Sequence, residues 1–311
     1  MTTLYYYHKD FLKHDTGLGH PENPDRLSHI NAALKATTFD SLKRITPELR
    51  PDVNKLIRMV HTKSVMDQVL EKVAADGYIS LDADTLLSEG SAHAALLAVS
   101  VVCDAIDRIK NKTARNAFCA VRPPGHHAEA NRSMGFCLFN NVAIAAEYAR
   151  QIHSYKRIAI IDFDVHHGNG TQAIFDTNAE VFYTSTHEMP NYPGTGFSSE
   201  IGVGNILNVP LASGETGSQF REKFRQKILP AIRQFNPELI LLSAGFDAHK
   251  DDPLASIQLT ESDYAWLTEK IMDIADVCCE GRIVSILEGG YNLYALADSV
   301  SAHVKVLMRD S

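Results

Sequence analysis

The stretch DFDVHHGNG, residues 162–170, places two carboxylates and two imidazoles within six consecutive positions. A second pair, His126 and His127, stands in VRPPGHHAEA. Carboxylate oxygens and imidazole nitrogens together suit zinc, Fe(II) or Co(II). In an extended segment the side chains at 164 and 166 share one face while 165 and 167 point away, so Asp164 and His166 can grip one ion. Asp247, after the apolar run ELILLSAGF, supplies a third ligand. Three protein ligands with one open position form a catalytic rather than a structural metal pattern.

The His126–His127 pair then reads as acid/base machinery. A metal lowers the pKa of bound water towards about 7, and a nearby imidazole can take its proton and return it to a leaving amine. Asp162 can orient one imidazole and Asn169 the other. Tyr291, after Gly289 and Gly290, can donate to a developing oxyanion. These parts describe metal-assisted hydrolysis of an amide. Each alone has a plainer reading: a loop histidine pair is often solvated or structural, an aspartate often caps a turn or helix, and a Gly-Gly pair often makes only a turn. Only their coincidence at four strand ends favours the chemical reading.

The elements that must position them follow from apolar runs at 4–8, 117–121, 157–162, 180–186, 238–245 and 282–290, which predict buried strands. Segments 91–110, 138–153, 218–235, 261–280 and 293–308 have helical spacing, with Asn236-Pro237 and Gly281 as stops. Strand and helix in alternation predict an α/β fold, a mostly parallel sheet with helices on both faces. The longest loop-like stretches are 76–91, 122–137, 186–205 and 246–260. Ligands in such folds sit beyond the carboxyl ends of the strands.

The 311 residues, 45% hydrophobic and 22% charged, are expected to form one domain, 1–311, around a sizeable core. A net charge of −8 argues against nonspecific binding to nucleic acid or anionic membranes, which need a cationic surface. The five cysteines include no C-x-x-C, which points to a reducing compartment. MTTLYYYHKD lacks the pattern of a signal peptide, and no apolar run reaches membrane-span length. The expected location is cytoplasmic.

The motifs HPENPDRL (20–27), VRPPGHHAE (121–129), GFCLFNNVAIAA (135–146), DFDVHHGNGTQ (162–172), YPGTG (192–196), SAGFDAHKDDPL (243–254) and LEGGYN (287–292) resemble those of the histone deacetylase superfamily, in family order along nearly the whole chain. That family includes lysine deacetylases and acetylpolyamine amidohydrolases. The resemblance implies a three-layer arginase-like fold and one catalytic Zn2+ on Asp164, His166 and Asp247. By the same match His126 and His127 are the tandem acid/base pair, Asp162 supports His126, and Tyr291 polarises the acyl carbonyl. Gly135, Phe136 and Tyr192 would line an acyl-lysine tunnel, with Leu254 at its lip and Asp84 as a rim carboxylate for peptide substrates. Arg26 matches an arginine below the pocket. A structural K+ is implied around Asp162, Asp164, His166, Ser185 and Thr186.

RPPGHHAE, LEGGYN and Asn169 resemble the class II branch. Tyr192 departs from the phenylalanine common at that tunnel wall. The resemblance thus implies a zinc-dependent lysine deacetylase acting on acetyllysine in proteins or peptides. Leu254 argues against acetylpolyamine, because polyamine-preferring relatives tend to carry an acidic residue there. A dinuclear ureohydrolase would need more carboxylates around one site. A noncatalytic acyl-lysine binder is disfavoured because no member of the constellation is missing.

Overall fold

The computed structural model of the chain describes residues 2–71 and 77–309. Residue 76 of the stretch 76–91 and the extreme ends of the 1–311 span lie outside the described residues. Eight strands make one sheet: β1 (Thr3–Tyr6), β2 (Lys43–Ile45), β5 (Asn116–Cys119), β6 (Ile158–Asp162), β7 (Val181–Glu188), β8 (Ile206–Leu211), β9 (Leu239–Ala244) and β10 (Ile283–Leu287). Between them in the chain, β3 (Ile79–Ser80) and β4 (Leu86–Leu87) form a separate antiparallel ladder. The spatial order is β2-β1-β5-β10-β9-β6-β7-β8, and every neighbouring pair is parallel.

The central strands IAIID, LILLSA and IVSIL are buried throughout, as expected of parallel strands covered on both faces. Two strands that the apolar runs do not reveal lie at the edges. β2 is three residues long and mostly exposed. β8, ILNVPL, is interrupted by Asn208 and carries Pro210, which only an edge tolerates readily.

The helices are α1 (Asp25–Ala33), α2 (Val53–Ile57), α3 (Lys63–Leu70), α4 (Ser91–Lys110), α5 (Asn141–His153), α6 (Asn169–Phe175), α7 (Gly217–Lys223), α8 (Leu229–Phe235), α9 (Glu261–Cys278) and α10 (Leu293–Leu307). α1 and α7 to α10 pack together in one layer, and α2 to α6 in the other. α5 starts three residues later than its apolar pattern, because the Asn140 side chain caps it by accepting the Ala143 N–H at 3.0 Å. The periodic segment 218–235 is broken by a π-turn at Phe224–Ile228, just before Pro230. Proline cannot donate the backbone bond a regular helix requires there.

One consequence governs the site. β5, β10, β9 and β6 are the four strands whose ends carry the histidine pair, Tyr291, Asp247 and Asp164, and they are adjacent in the middle of the sheet. Their last residues are also level: Cys119 pairs with Ile286, Leu287 with Ala244, and Ser243 with Asp162.

Candidate active site

β6 ends at Asp162, and residues 163–167 turn rather than continue as strand. Strand alternation therefore does not bring Asp164 and His166 together, contrary to the expectation from spacing. Two successive side-chain turns do so. Asp162 Oδ1 accepts the N–H of Asp164 at 3.2 Å, and Asp164 Oδ1 accepts the N–H of His166 at 2.9 Å.

Asp164, His166 and Asp247 are buried, and each offers a ligand atom within 4.8 Å of the other two. His166 Nδ1 lies 3.2 Å from Asp164 Oδ1 and 3.2 Å from Asp247 Oδ2. Backbone bonds orient the carboxylates: the Val165 N–H donates to Asp247 Oδ1 at 2.8 Å, and the Gly289 N–H to Asp164 Oδ2 at 2.8 Å. A Cβ on Gly289 would sit 2.1 Å from Asp247 Oδ2, so only glycine lets β10 close over the pair. Burial and the neighbouring Asp164 push the Asp247 carboxyl up to about 7. Two desolvated carboxylates and an imidazole facing one point form a donor set that a divalent cation would neutralise. The residues fit such an ion.

Beside this set lie the two histidines that follow β5, with ring centroids 4.0 Å apart. His126 Nδ1 is 3.1 Å from Asp162 Oδ2, which also accepts the Tyr183 hydroxyl at 3.1 Å. His127 Nδ1 is 2.8 Å from Asn169 Oδ1. Burial would lower the pKa of His126, but Asp164 and Asp162 outweigh it and hold the imidazole up at about 10. His127 is driven well below the ordinary histidine range by burial, and further by His126 and His166. Their surroundings thus push the two imidazoles in opposite directions, His126 towards its protonated and His127 towards its neutral form.

Of these groups His126, His127 and His166 reach the floor of a cavity of about 230 Å³, which is also lined by Asp84, Gly135, Phe136, Cys137, Asn191, Tyr192, Leu254 and Tyr291. Phe136 meets the Tyr291 ring edge-on at 5.9 Å, and Tyr192 meets His127 edge-on at 5.0 Å. Gly135 has φ +56°, and a Cβ there would lie 2.6 Å from His127, so the loop needs glycine to pass this close to the imidazole. Burial, reinforced by Asp247, raises the Tyr291 phenol well above its usual range and keeps it a donor.

Arg26 lies beneath this floor. Its Nε donates to the Gly290 carbonyl at 2.6 Å, its Nη1 to Glu22 at 2.9 Å, and its guanidinium is 5.1 Å from the centre of the Tyr291 ring. At the rim, Asp84 packs against Asp82 and Thr85, and its backbone carbonyl is 3.2 Å from His20 Nε2. Ser185 pairs with Asp162 across β7 and β6, but its hydroxyl bonds His187 Nδ1 at 2.8 Å, whereas Thr186 Oγ1 is buried without a partner.

Other supporting residues were not singled out by type or spacing. Asp252 Oδ2 accepts the backbone N–H of Tyr291 at 2.7 Å, and Oδ1 that of Leu254 at 3.0 Å. Glu129 accepts from Asn169 Nδ2 at 2.9 Å and so completes a chain to His127. His20 packs edge-on against Phe136 at 4.7 Å. The DDP and HHAE motifs contain the first two, but their backbone and amide partners lie about 40 positions away.

Residues 20–307 match the family model described as histone deacetylase domain. Similar proteins include the uncharacterized protein slr0245 of Synechocystis sp., 43% identical over 97% of this chain and 98% of that one. Histone deacetylase 15 of Arabidopsis thaliana is 39% identical over 94% of this chain, which spans 53% of that protein. A probable deacetylase of Archaeoglobus fulgidus is 37% identical, with 94% of this chain and 82% of that one covered. The crystal structure of the HDA15 HD domain superposes with a TM-score of 0.93 at 37% identity, covering 99% of this chain and 89% of that one.

Proposed function

Because the chain belongs to the histone deacetylase family and has its three-layer, arginase-like fold, we propose that it is a zinc-dependent lysine deacetylase that removes acetyl groups from N-ε-acetyllysine in proteins or peptides. The observation that carries this reading is the convergence of the Asp164–His166–Asp247 donor set with the adjacent His126–His127 pair at one cavity, which His126, His127 and His166 line.

Zinc held by Asp164, His166 and Asp247 would polarise the acyl carbonyl and acidify the attacking water. His127 Nδ1 is committed to Asn169, which leaves Nε2 to accept the water proton and then deliver it to the departing lysine amine. His126, tied to Asp162, keeps positive charge beside the reacting carbonyl. The Tyr291 hydroxyl donates to the carbonyl oxygen as negative charge develops there. Phe136 and Tyr192 enclose the lysine stem and exclude water, and Leu254 presents an apolar lip. Acetate and free lysine leave.

A structural potassium near Asp162 and Ser185 rests on family resemblance. The Ser185 hydroxyl already has a protein partner, His187 Nδ1.

The test is acetate release from an acetyllysine peptide by metal-stripped protein, before and after one equivalent of zinc, with acetylputrescine run in parallel. Zinc-restored turnover of the peptide, with a higher kcat/KM than for acetylputrescine, is expected. Turnover of acetylputrescine alone would replace this reading with a small-molecule amidohydrolase. Zinc binding without release of acetate from either would make the protein a binder.

A further inference from the structure

Glu288 is fully buried at the end of β10, outside the cavity lining, and takes no part in the chemistry above. Its Oε2 accepts two successive backbone N–H groups of the catalytic loop, Gly125 at 2.6 Å and His126 at 3.2 Å. Its Oε1 faces the Ser243 hydroxyl on β9 at 3.4 Å, and its own N–H donates to the Ala244 carbonyl at 2.9 Å. Among the described residues, the Gly125 and His126 N–H groups have no other acceptor.

Resting on the functional reading above, we propose that Glu288 is a positioning residue that sets the His126–His127 pair at its working distance from the Asp164–His166–Asp247 centre. Other bonds to this loop hold its opposite polarity. Asn141 Nδ2 donates to the Pro123 carbonyl at 3.1 Å, the Thr171 N–H to the His126 carbonyl at 3.2 Å, and Asn140 Nδ2 to the Ala128 carbonyl at 3.0 Å. Asn141 and Thr171 belong to α5 and α6, and Asn140 caps α5. Glu288 alone ties the loop's N–H groups to β10 and β9, the strands that deliver Tyr291 and Asp247. One buried carboxyl oxygen that accepts two adjacent backbone N–H groups leaves the loop little freedom to shift. The imidazoles and the ligand set are thereby referred to one rigid frame.

The discriminating comparison is Glu288→Asp against Glu288→Gln, with Glu288→Ala alongside. Glutamine keeps the length: its Oε1 can accept both N–H groups while its amide donates to Ser243. Aspartate keeps the charge but is one methylene too short to reach. Steady-state turnover of an acetyllysine peptide is measured per zinc-loaded chain, with zinc content determined independently. The expected result is kcat for Glu288→Asp at least tenfold below that for Glu288→Gln, at unchanged KM, within the roughly 100-fold that about 1 Å of misplacement can cost. Glu288→Ala, if folded, should behave like the aspartate variant; if it fails to fold, the aspartate–glutamine pair still decides. Equal kcat for those two variants, or a change in KM alone, would overturn the positioning role while leaving the functional reading intact. A zinc-loaded wild type that releases no acetate would overturn that reading, and the Glu288 role with it.

Discussion

His127 Nδ1 lies 2.8 Å from Asn169 Oδ1, and Asn169 is in turn held by Glu129 at 2.9 Å. A neutral amide beside the imidazole orients it without adding charge, which suits a base that must stay unprotonated. Asn169→Ala should lower kcat by roughly 10- to 100-fold, the usual range for groups that orient reacting side chains. Asn169→Asp should instead raise the pKa of His127, because a carboxylate favours the imidazolium. The acid limb of the kcat/KM profile should then move to higher pH; an unmoved limb would show that another group sets it.

Tyr291→Phe removes the phenol that the proposed mechanism assigns to the acyl oxygen. Turnover should drop by about 10²- to 10³-fold, with KM within a few-fold of wild type because the ring still packs against Phe136. Near-normal kcat in the phenylalanine variant would remove Tyr291 from the mechanism.

Asp247 gains little by ionising in the metal-free protein, where burial and Asp164 hold its carboxyl at about 7. Asp247→Asn should therefore leave the melting temperature of the metal-free protein near that of wild type. It should abolish most of the zinc-induced rise, which for wild type corresponds to about 2.7 kcal/mol at a hundredfold excess over Kd. Calorimetric scans with and without zinc provide the check. An undiminished rise in the variant would place the zinc elsewhere.

Three of the buried histidines outside the Asp164–His166–Asp247 set are expected to make stability depend on pH. Burial lowers His14 to about 4, His61 to about 4 and His303 to about 3, from 6.5. The unfolded chain binds protons at these groups before the folded one does, so their contribution is complete above pH 6.5 and is lost as pH falls towards 4. At about 1.4 kcal/mol per pKa unit, the combined loss is on the order of several kcal/mol. Urea midpoints should decline between pH 7 and about pH 5. A flat midpoint over that window would mean that these imidazoles titrate normally in the folded protein.

Leu254 lies on the cavity lining. Leu254→Glu would place a carboxylate where a second ammonium of a polyamine could meet it. The ratio of kcat/KM for acetylputrescine to that for an acetyllysine peptide should rise about tenfold, the worth of one modest ion pair of about 1.4 kcal/mol. No change in the ratio would show that the lip does not select between the two.

Much of the site was legible because its chemistry is concentrated in short motifs. The types and order of His126, His127, Asp164, His166, Asp247 and Tyr291 suggested amide hydrolysis before any coordinates, and continuous apolar runs marked the central strands. The edges were not legible. β2 is too short and exposed, and β8 too broken by Asn208 and Pro210, to stand out from loop. α6 was hidden inside the glycine-rich motif that supplies Asn169.

By itself the sequence determined which groups were available and that buried parallel strands would carry them, since residue type and apolar patterning are local properties. Tertiary structure decided everything that depends on distance between remote segments. It placed β5, β10, β9 and β6 side by side, and replaced strand alternation with side-chain turns at Asp162 and Asp164. It also gave His126 and His127 opposite charge preferences, because a pKa follows burial and neighbours, not residue type. The bonds from Glu288 to Gly125 and from Asp252 to Tyr291 belong to the same class. A backbone N–H leaves no mark in a sequence, so which carboxylate it meets is settled only when the chain has folded.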